Sequence, residues 1–200
     1  QNLADAEFEL SEALRLDPNN ASFHCELGDL YSSAEQWSRA QQAYQRASDL
    51  DPGNPYYQVG IATMYNATDR PDLALPILEK AVADNPDTEL FKFHYAIALA
   101  DNLTNQWSQF GDGTRSILNE AQLKVSHTTL QKISALKVTD PELKEHLDEI
   151  QRVVGNAERI RWFGSDNLLW YGGGLLASLF ALGGFGSAST IILGLAGLAG

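Results

Sequence analysis

Two histidines and the single cysteine are the residues whose types first invite chemistry. His24 and Cys25 stand side by side, and His94 falls at a nearly equivalent place further along the chain. Imidazoles serve as metal ligands and general bases, and a thiol beside an imidazole can be a nucleophile paired with its base. A metal site needs further carboxylate or imidazole neighbours, and the pattern around His24 and His94 supplies none at ligand spacing. Satisfied helix histidines and a cysteine that fills apolar space are the better reading. No GxxxxGK, HExxH, GxSxG or CxxC occurs, and one cysteine permits no intrachain disulfide. We therefore expect no catalytic residues, no metal, no cofactor and no enzymatic activity.

Charge narrows the partners. The 200 residues carry 14 Lys+Arg against 26 Asp+Glu, a formal net charge of −12, and every one of these lies before Asn167. Phosphate backbones are held by clustered cations that release counterions, so nucleic acid is not an expected partner. Three Asn-x-Ser/Thr sequons, at Asn20, Asn66 and Asn102, are no more than such a composition yields by chance.

The elements that would position any working surface announce themselves by a period. The stretches "AEFELSEALRLDPNN", "AQQAYQRASDLDPGN" and "ALPILEKAVADNPDT" align as A-x-x-x-[L/Y]-x-x-A-x-x-x-x-P, through Ala6, Leu10, Ala13, Pro18, then Ala40, Tyr44, Ala47, Pro52, then Ala74, Leu78, Ala81, Pro86, at a spacing of 34 residues. Upstream of the last two stand Leu27-Gly28-x-x-Tyr31 and Ile61-Ala62-x-x-Tyr65. Over residues 1–126 this resembles the tetratricopeptide repeat family, a helix-turn-helix unit with L-G-x-x-Y on its first helix and A-x-x-x-F-x-x-A…P on its second.

Small residues at Gly28, Ala62, Ala96, Ala40 and Ala74 would let paired helices approach, with Tyr31, Tyr44 and Tyr65 filling between them. Pro52 would end one helix, Asn54 cap the next and Pro55 open its first turn, with Asn20 and Thr88 at other helix starts. Gln1 falls inside a second helix, as in a chain cut from something longer. The expected class is all-α, a solenoid of such pairs.

The resemblance implies that a concave groove lined by first helices binds a segment of another protein. The inward positions would be Ser22, Cys25, Asp29 and Ser32, then Tyr56, Val59, Thr63 and Asn66, then Leu90, Phe93 and Ile97. Some members of that family clamp chaperone C-terminal carboxylates with Lys and Asn at positions that here hold Cys25, Asp29, Val59 and Thr63, so that activity does not carry over. Polar to acidic at one end and apolar-aromatic at the other, the groove would suit an amphipathic segment or a neighbouring subunit.

The fourth repeat has a good first helix, "ELFKFHYAIALADNL", but its second, "TRSILNEAQLKV", arrives about six residues late, after the insertion "WSQFGD". Trp107 and Phe110 in that loop either tuck onto the solenoid or meet a partner. Residues 127–161 read as two more helices, with Leu130, Ile133 and Leu136 on one and Leu143, Leu147, Ile150 and Val153 or Val154 on the other, the second starting at Asp140-Pro141-Glu142. They would form a divergent repeat or a cap over the last apolar face.

Residues 162–200 look different. From Asn167 to Gly200 there is no Asp, Glu, Lys, Arg or His. Since roughly 20 apolar residues span a bilayer, a first transmembrane helix is expected near Leu168 to Phe185 and a second from Ala188, making a single span or a helical hairpin. Trp162, Trp170 and Tyr171 would sit at the interface, and Arg152, Arg159 and Arg161 would keep the repeats on the cytoplasmic side. Gly173, Ala177 and Ala181 form a small-residue face for helix packing in lipid. The expectation is a membrane-anchored adaptor that holds protein partners in its groove. The alternative is a structural subunit of a homo-oligomeric or filamentous assembly whose apolar tail packs between protomers.

Overall fold

Helix starts repeat along the chain before any helix packs. The computed structural model describes residues 3–159, nearly all within one compact unit, residues 1–155. In order come α1 (Leu3–Leu16), α2 (Ala21–Ser33), α3 (Trp37–Leu50), α4 (Pro55–Ala67), α5 (Pro71–Asp84), α6 (Glu89–Asn105), β1 (Ser108–Gln109), β2 (Arg115–Ser116) and α7 (Glu120–Ala135), then α8 over residues 141–159. Leu3, Trp37 and Pro71 open successive second helices and Ala21, Pro55 and Glu89 successive first helices, each 34 residues after the last.

Local chemistry sets these starts. The Asn20 side chain accepts from the Ser22 and Phe23 N–H groups at 3.1 and 3.3 Å, and Asn54 accepts from Tyr56 N–H at 3.1 Å with Pro55 in the first turn. Thr88 holds the cap position of α6 without a side-chain bond. Asp140 Oδ1 accepts from Glu142 and Leu143 N–H at 2.8 and 3.3 Å. α2 and α4 then stop in the same way. Glu35 and Asp69 adopt φ of 55° and 58°, and the next N–H groups, Gln36 and Arg70, reach back to the Tyr31 and Tyr65 carbonyls at 2.8 and 2.9 Å.

Packing follows the period. α2 lies on α3, α3 on α4, α4 on α5 and α5 on α6, while α2, α4 and α6 also touch one another as consecutive first helices. Ala40, Ala47, Ala62, Ala74 and Ala96 are wholly buried, because only a methyl fits where two backbones close up. The Tyr44 ring of α3 is wedged between two glycines: a Cβ on Gly28 of α2 or on Gly60 of α4 would stand 2.6 Å from ring atoms. Its hydroxyl donates to Asp29 Oδ1 at 2.7 Å.

Two clusters of like composition stitch the outer seams. Tyr31 donates to Glu7 Oε1 at 3.0 Å while Arg39 pairs with Glu7 and lies 4.0 Å over the Tyr31 ring, joining α1, α2 and α3. Tyr95 and Lys132 both donate to Glu79 Oε1, at 2.9 and 2.8 Å, joining α5, α6 and α7. Arg39 and then Tyr31 hold the Glu7 carboxyl below its ordinary range. Lys132 and then Tyr95 do the same for Glu79.

A carboxyl lowered on folding stabilises above its unfolded value and loses that contribution as pH falls through the folded one. The ordinary value is 4.5 for both, so Glu7→Gln/Glu79→Gln is expected to flatten the loss of stability below that pH. Urea midpoints measured from pH 6 to pH 3 check this; a profile parallel to the parent's would contradict it.

The fourth repeat departs from the period. α6 has 17 residues where α2 and α4 have 13. The segment expected to begin a helix at Thr114 instead pairs antiparallel with β1, Ser116 opposite Ser108 and Arg115 opposite Gln109. The helix waits until Asn119, whose side chain accepts from Gln122 N–H at 2.9 Å. Nor does it break at residue 126. Ser126 is fully buried, donates to the Gln122 carbonyl at 2.8 Å and accepts from Trp107 Nε1 at 3.1 Å, so α7 runs through it.

The membrane anchor requires correction. Among the described residues no helix is long and apolar enough to cross a membrane. The expected transmembrane helices, single or as a hairpin, and the packing face of Gly173, Ala177 and Ala181 lie outside the described residues. The membrane partner, the membrane localisation and the cytoplasmic-side orientation had no basis except those residues and their flank, and they fall with the anchor. The homo-oligomeric or filamentous assembly built on the same apolar tail has no support in the described residues and falls too.

Candidate partner-binding groove

Consecutive first helices put residues of equal register side by side. α4 lies between α2 and α6, and the Tyr56 ring meets the Phe91 ring edge-on, centroids 4.9 Å apart. Phe91 is buried and fixes that contact, whereas Tyr56 is 51% exposed and Leu90, its register mate on α6, is 47% exposed. Phe93 and Ile97 are half-buried, and the Phe93 ring packs edge-on against His94 at 5.3 Å. These residues make an apolar-aromatic margin at the N-terminal halves of α4 and α6.

The C-terminal halves are polar. Asp29 is exposed apart from the Tyr44 hydroxyl it accepts, and Ser32 is half-buried, whereas Ser22, exposed in the first turn of α2, stands at the register of Tyr56 and Leu90. Asn66 donates from Nδ2 to Asp101 Oδ2 at 2.6 Å, tying α4 to α6, and its Oδ1 is buried without a partner. His146 Nε2 of α8 lies 3.7 Å from Asp101 Oδ1. Thr63 turns its hydroxyl inward to the Val59 carbonyl at 2.9 Å. Val59 itself is only 3% exposed and belongs to the core.

α2, α4 and α6 carry a single Lys or Arg, Lys92. α2 carries Glu26 and Asp29, α4 carries no charged residue, and α6 carries Glu89, Lys92 and Asp101. Lys92 pairs with Glu89 and its side chain is only 15% exposed.

The residues that first invited chemistry are occupied otherwise. Burial, then Asp29 and Glu26, push the Cys25 thiol up to about 11, which keeps it protonated and a poor nucleophile. The His24 Nε2 lies 3.1 Å from the Pro18 carbonyl, to which it can only donate. Burial pushes His94 down, toward the neutral form. Among the described residues no group of three or more His, Cys, Asp or Glu could hold a metal ion.

The insertion divides. Trp107 is buried on Ser126, whereas Phe110 is 47% exposed at a turn in which its N–H donates to the Thr114 carbonyl at 2.8 Å and Asp112 Oδ1 accepts from Thr114 N–H and hydroxyl at 3.0 and 2.7 Å. Sequence reasoning had not singled out Phe91, Glu26, Asp101 or His146. For Asp101 the signal was its place one residue beyond the register of Asn66; His146 is marked by nothing before α8 packs.

A family model described as tetratricopeptide repeat matches residues 1–64. No curated protein matches the chain. Among solved structures it is similar to an Arabidopsis OM64 TPR domain, at 14% identity over 67% of this chain and 98% of that one with a TM-score of 0.47. It is similar to the first TPR domain of human RPAP3, at 20% identity over 71% and 98% with a TM-score of 0.47. A third is the Yersinia enterocolitica type III secretion chaperone SycD in complex with a peptide of the translocator YopD, at 16% identity over 69% and 92% with a TM-score of 0.45. At these scores the similarity implies nothing about what this chain binds.

Proposed function

We propose that the chain is a protein-interaction scaffold, without a catalytic step, whose first helices hold a segment of another protein. One observation carries this: Tyr56 and Leu90, 34 residues apart at equal register, leave half of two large apolar side chains in solvent beside half-buried Phe93 and Ile97. Phe91 and Tyr95 on α6 are buried, while Tyr56 and Leu90 stay half in solvent beside them. Contiguous apolar surface rimmed by polar groups is what a partner covers. In the same reading Asp29 and Asn66 line its polar side, Ser22 stands at the register of Tyr56, Thr63 is backbone-tied support, and Phe110 is a second, separate contact. Residues 127–159 close the solenoid, with Leu143, Ile150 and Val154 buried.

The test is loss of partner without loss of fold. Tyr56→Ser/Phe93→Ser is expected to weaken retention of the bound protein by roughly tenfold, about 1.4 kcal/mol, while Gln42→Ser/Asp72→Ser on the second helices leaves it unchanged. Both variants should keep the helical circular dichroism of the parent. Equal retention by the two variants overturns the proposal.

A further inference from the structure

We propose that the segment held by the first helices is basic and amphipathic, one face apolar and the other carrying lysine or arginine. This rests on the groove being the protein-binding surface and adds the chemistry of what fills it.

Three observations converge. The apolar side chains gather along one margin, Tyr56 and Leu90 exposed and Phe93 and Ile97 half-buried, all toward the N-terminal halves of α4 and α6. The other margin, formed by α2 and the C-terminal end of α6, carries carboxylates: Glu26 and Asp29, both exposed, and Asp101, its side chain 31% exposed and its Oδ1 3.7 Å from His146 Nε2 of α8. The helix C-termini on that margin add partial negative charge of their own. No free cation offsets it on α2, α4 or α6, because Lys92 is spent on Glu89 and mostly covered.

An acidic partner would meet like charge at Asp29 and Asp101, and a purely apolar one would take the remaining lone pairs of both carboxylates out of water with no cation in exchange. A segment with lysine or arginine on one face and leucine or phenylalanine on the other satisfies both margins at once. It differs from a carboxylate-bearing segment in the sign of every charge.

Two designed peptides of roughly 14 residues, about four helical turns, test this by fluorescence anisotropy: one of leucine and lysine with a helical apolar stripe, one with glutamate in place of lysine. The Leu/Lys peptide is expected to bind one per chain, and less tightly as salt rises. Asp29→Asn/Asp101→Asn keeps an acceptor oxygen for the Tyr44 hydroxyl and for Asn66, and is expected to weaken binding roughly tenfold. Asp49→Asn/Asp87→Asn, the same change of charge elsewhere, is expected to matter less than twofold.

If the two pairs weaken binding alike, the attraction is only the net charge of the chain and the proposal is overturned. Should the Leu/Glu peptide bind as well as Leu/Lys and be lost on Phe93→Ser, the groove stands and its assigned chemistry is wrong. If neither peptide responds to Phe93→Ser or to the groove pair, the binding surface itself is overturned.

Discussion

Tyr44→Ala is expected to lower the free energy of unfolding by about 3–5 kcal/mol, and with it the thermal midpoint by roughly 10 °C. The ring is buried between α2 and α4, so truncation removes an aromatic side chain and leaves a void that two glycine-bearing helix faces cannot fill. Neither face has a side chain at the spot to move inward. The hydroxyl contributes separately through its 2.7 Å bond to Asp29, and since Asp29 is exposed water can replace it. Tyr44→Phe should therefore cost about 1 kcal/mol. Urea unfolding of the three proteins checks the ordering; a Tyr44→Ala loss no larger than that of Tyr44→Phe would mean that the ring is not the wedge.

Gly28→Val is expected to cost about 3 kcal/mol for the complementary reason. A Cβ at position 28 meets three ring atoms of Tyr44, the nearest two at 2.6 Å and the third at 2.9 Å. The ring cannot slide away, because Gly60 on α4 faces it just as closely, at 2.6 Å. Replacing glycine by valine gains a helix well under about 1 kcal/mol, because valine is itself a poor former, and the collision outweighs that gain. The double variant Gly28→Val/Tyr44→Ala isolates the cause. With the ring gone the valine has room, so the two losses should fall short of their sum by about 2 kcal/mol. Additive losses would place the cost of valine elsewhere than against Tyr44.

These residues also show how far the sequence could be read. Ala40, Tyr44, Ala47 and Gly28 are visible as repeat positions because each faces its own partner helix at a fixed spacing. Gly60 is not, because it packs on the ring of the preceding repeat and no rule within one repeat requires it. Asn20, Asn54 and Asp140 are legible as caps since a cap is a contact over two or three residues. Val59 shows the limit in the other direction: its register placed it in the groove, but its side chain is buried. In the fourth repeat the period predicts a helix from Thr114 and a break at 126, and the fold supplies a β-hairpin and an unbroken α7. Trp107 and Ser126 meet there in a buried hydrogen bond across 19 residues, a contact invisible to any local pattern. The apolar stretch from Asn167 dominated the expected function through composition alone, and it lies outside the described residues.

In the proposed function the two kinds of helix divide the labour. Second helices carry the wedge and the seams that hold the stack, through Tyr44, Arg39 and Glu79. First helices contribute Tyr31 and Tyr95 to those seams and leave Tyr56 and Leu90 half in solvent, with Lys92 their one Lys or Arg. The groove residues that do bond to the fold, Asp29 and Asn66, use one polar group each for it.

Photo-crosslinking in the cells that make the protein tests this division most directly, with a benzoylphenylalanine placed at Tyr56 or Phe93 on the first helices and at Gln42 or Asp72 on the second. A discrete adduct with the same protein from positions 56 and 93, and none from 42 and 72, is the predicted result. Adducts from positions 42 and 72 with none from 56 and 93 would contradict it.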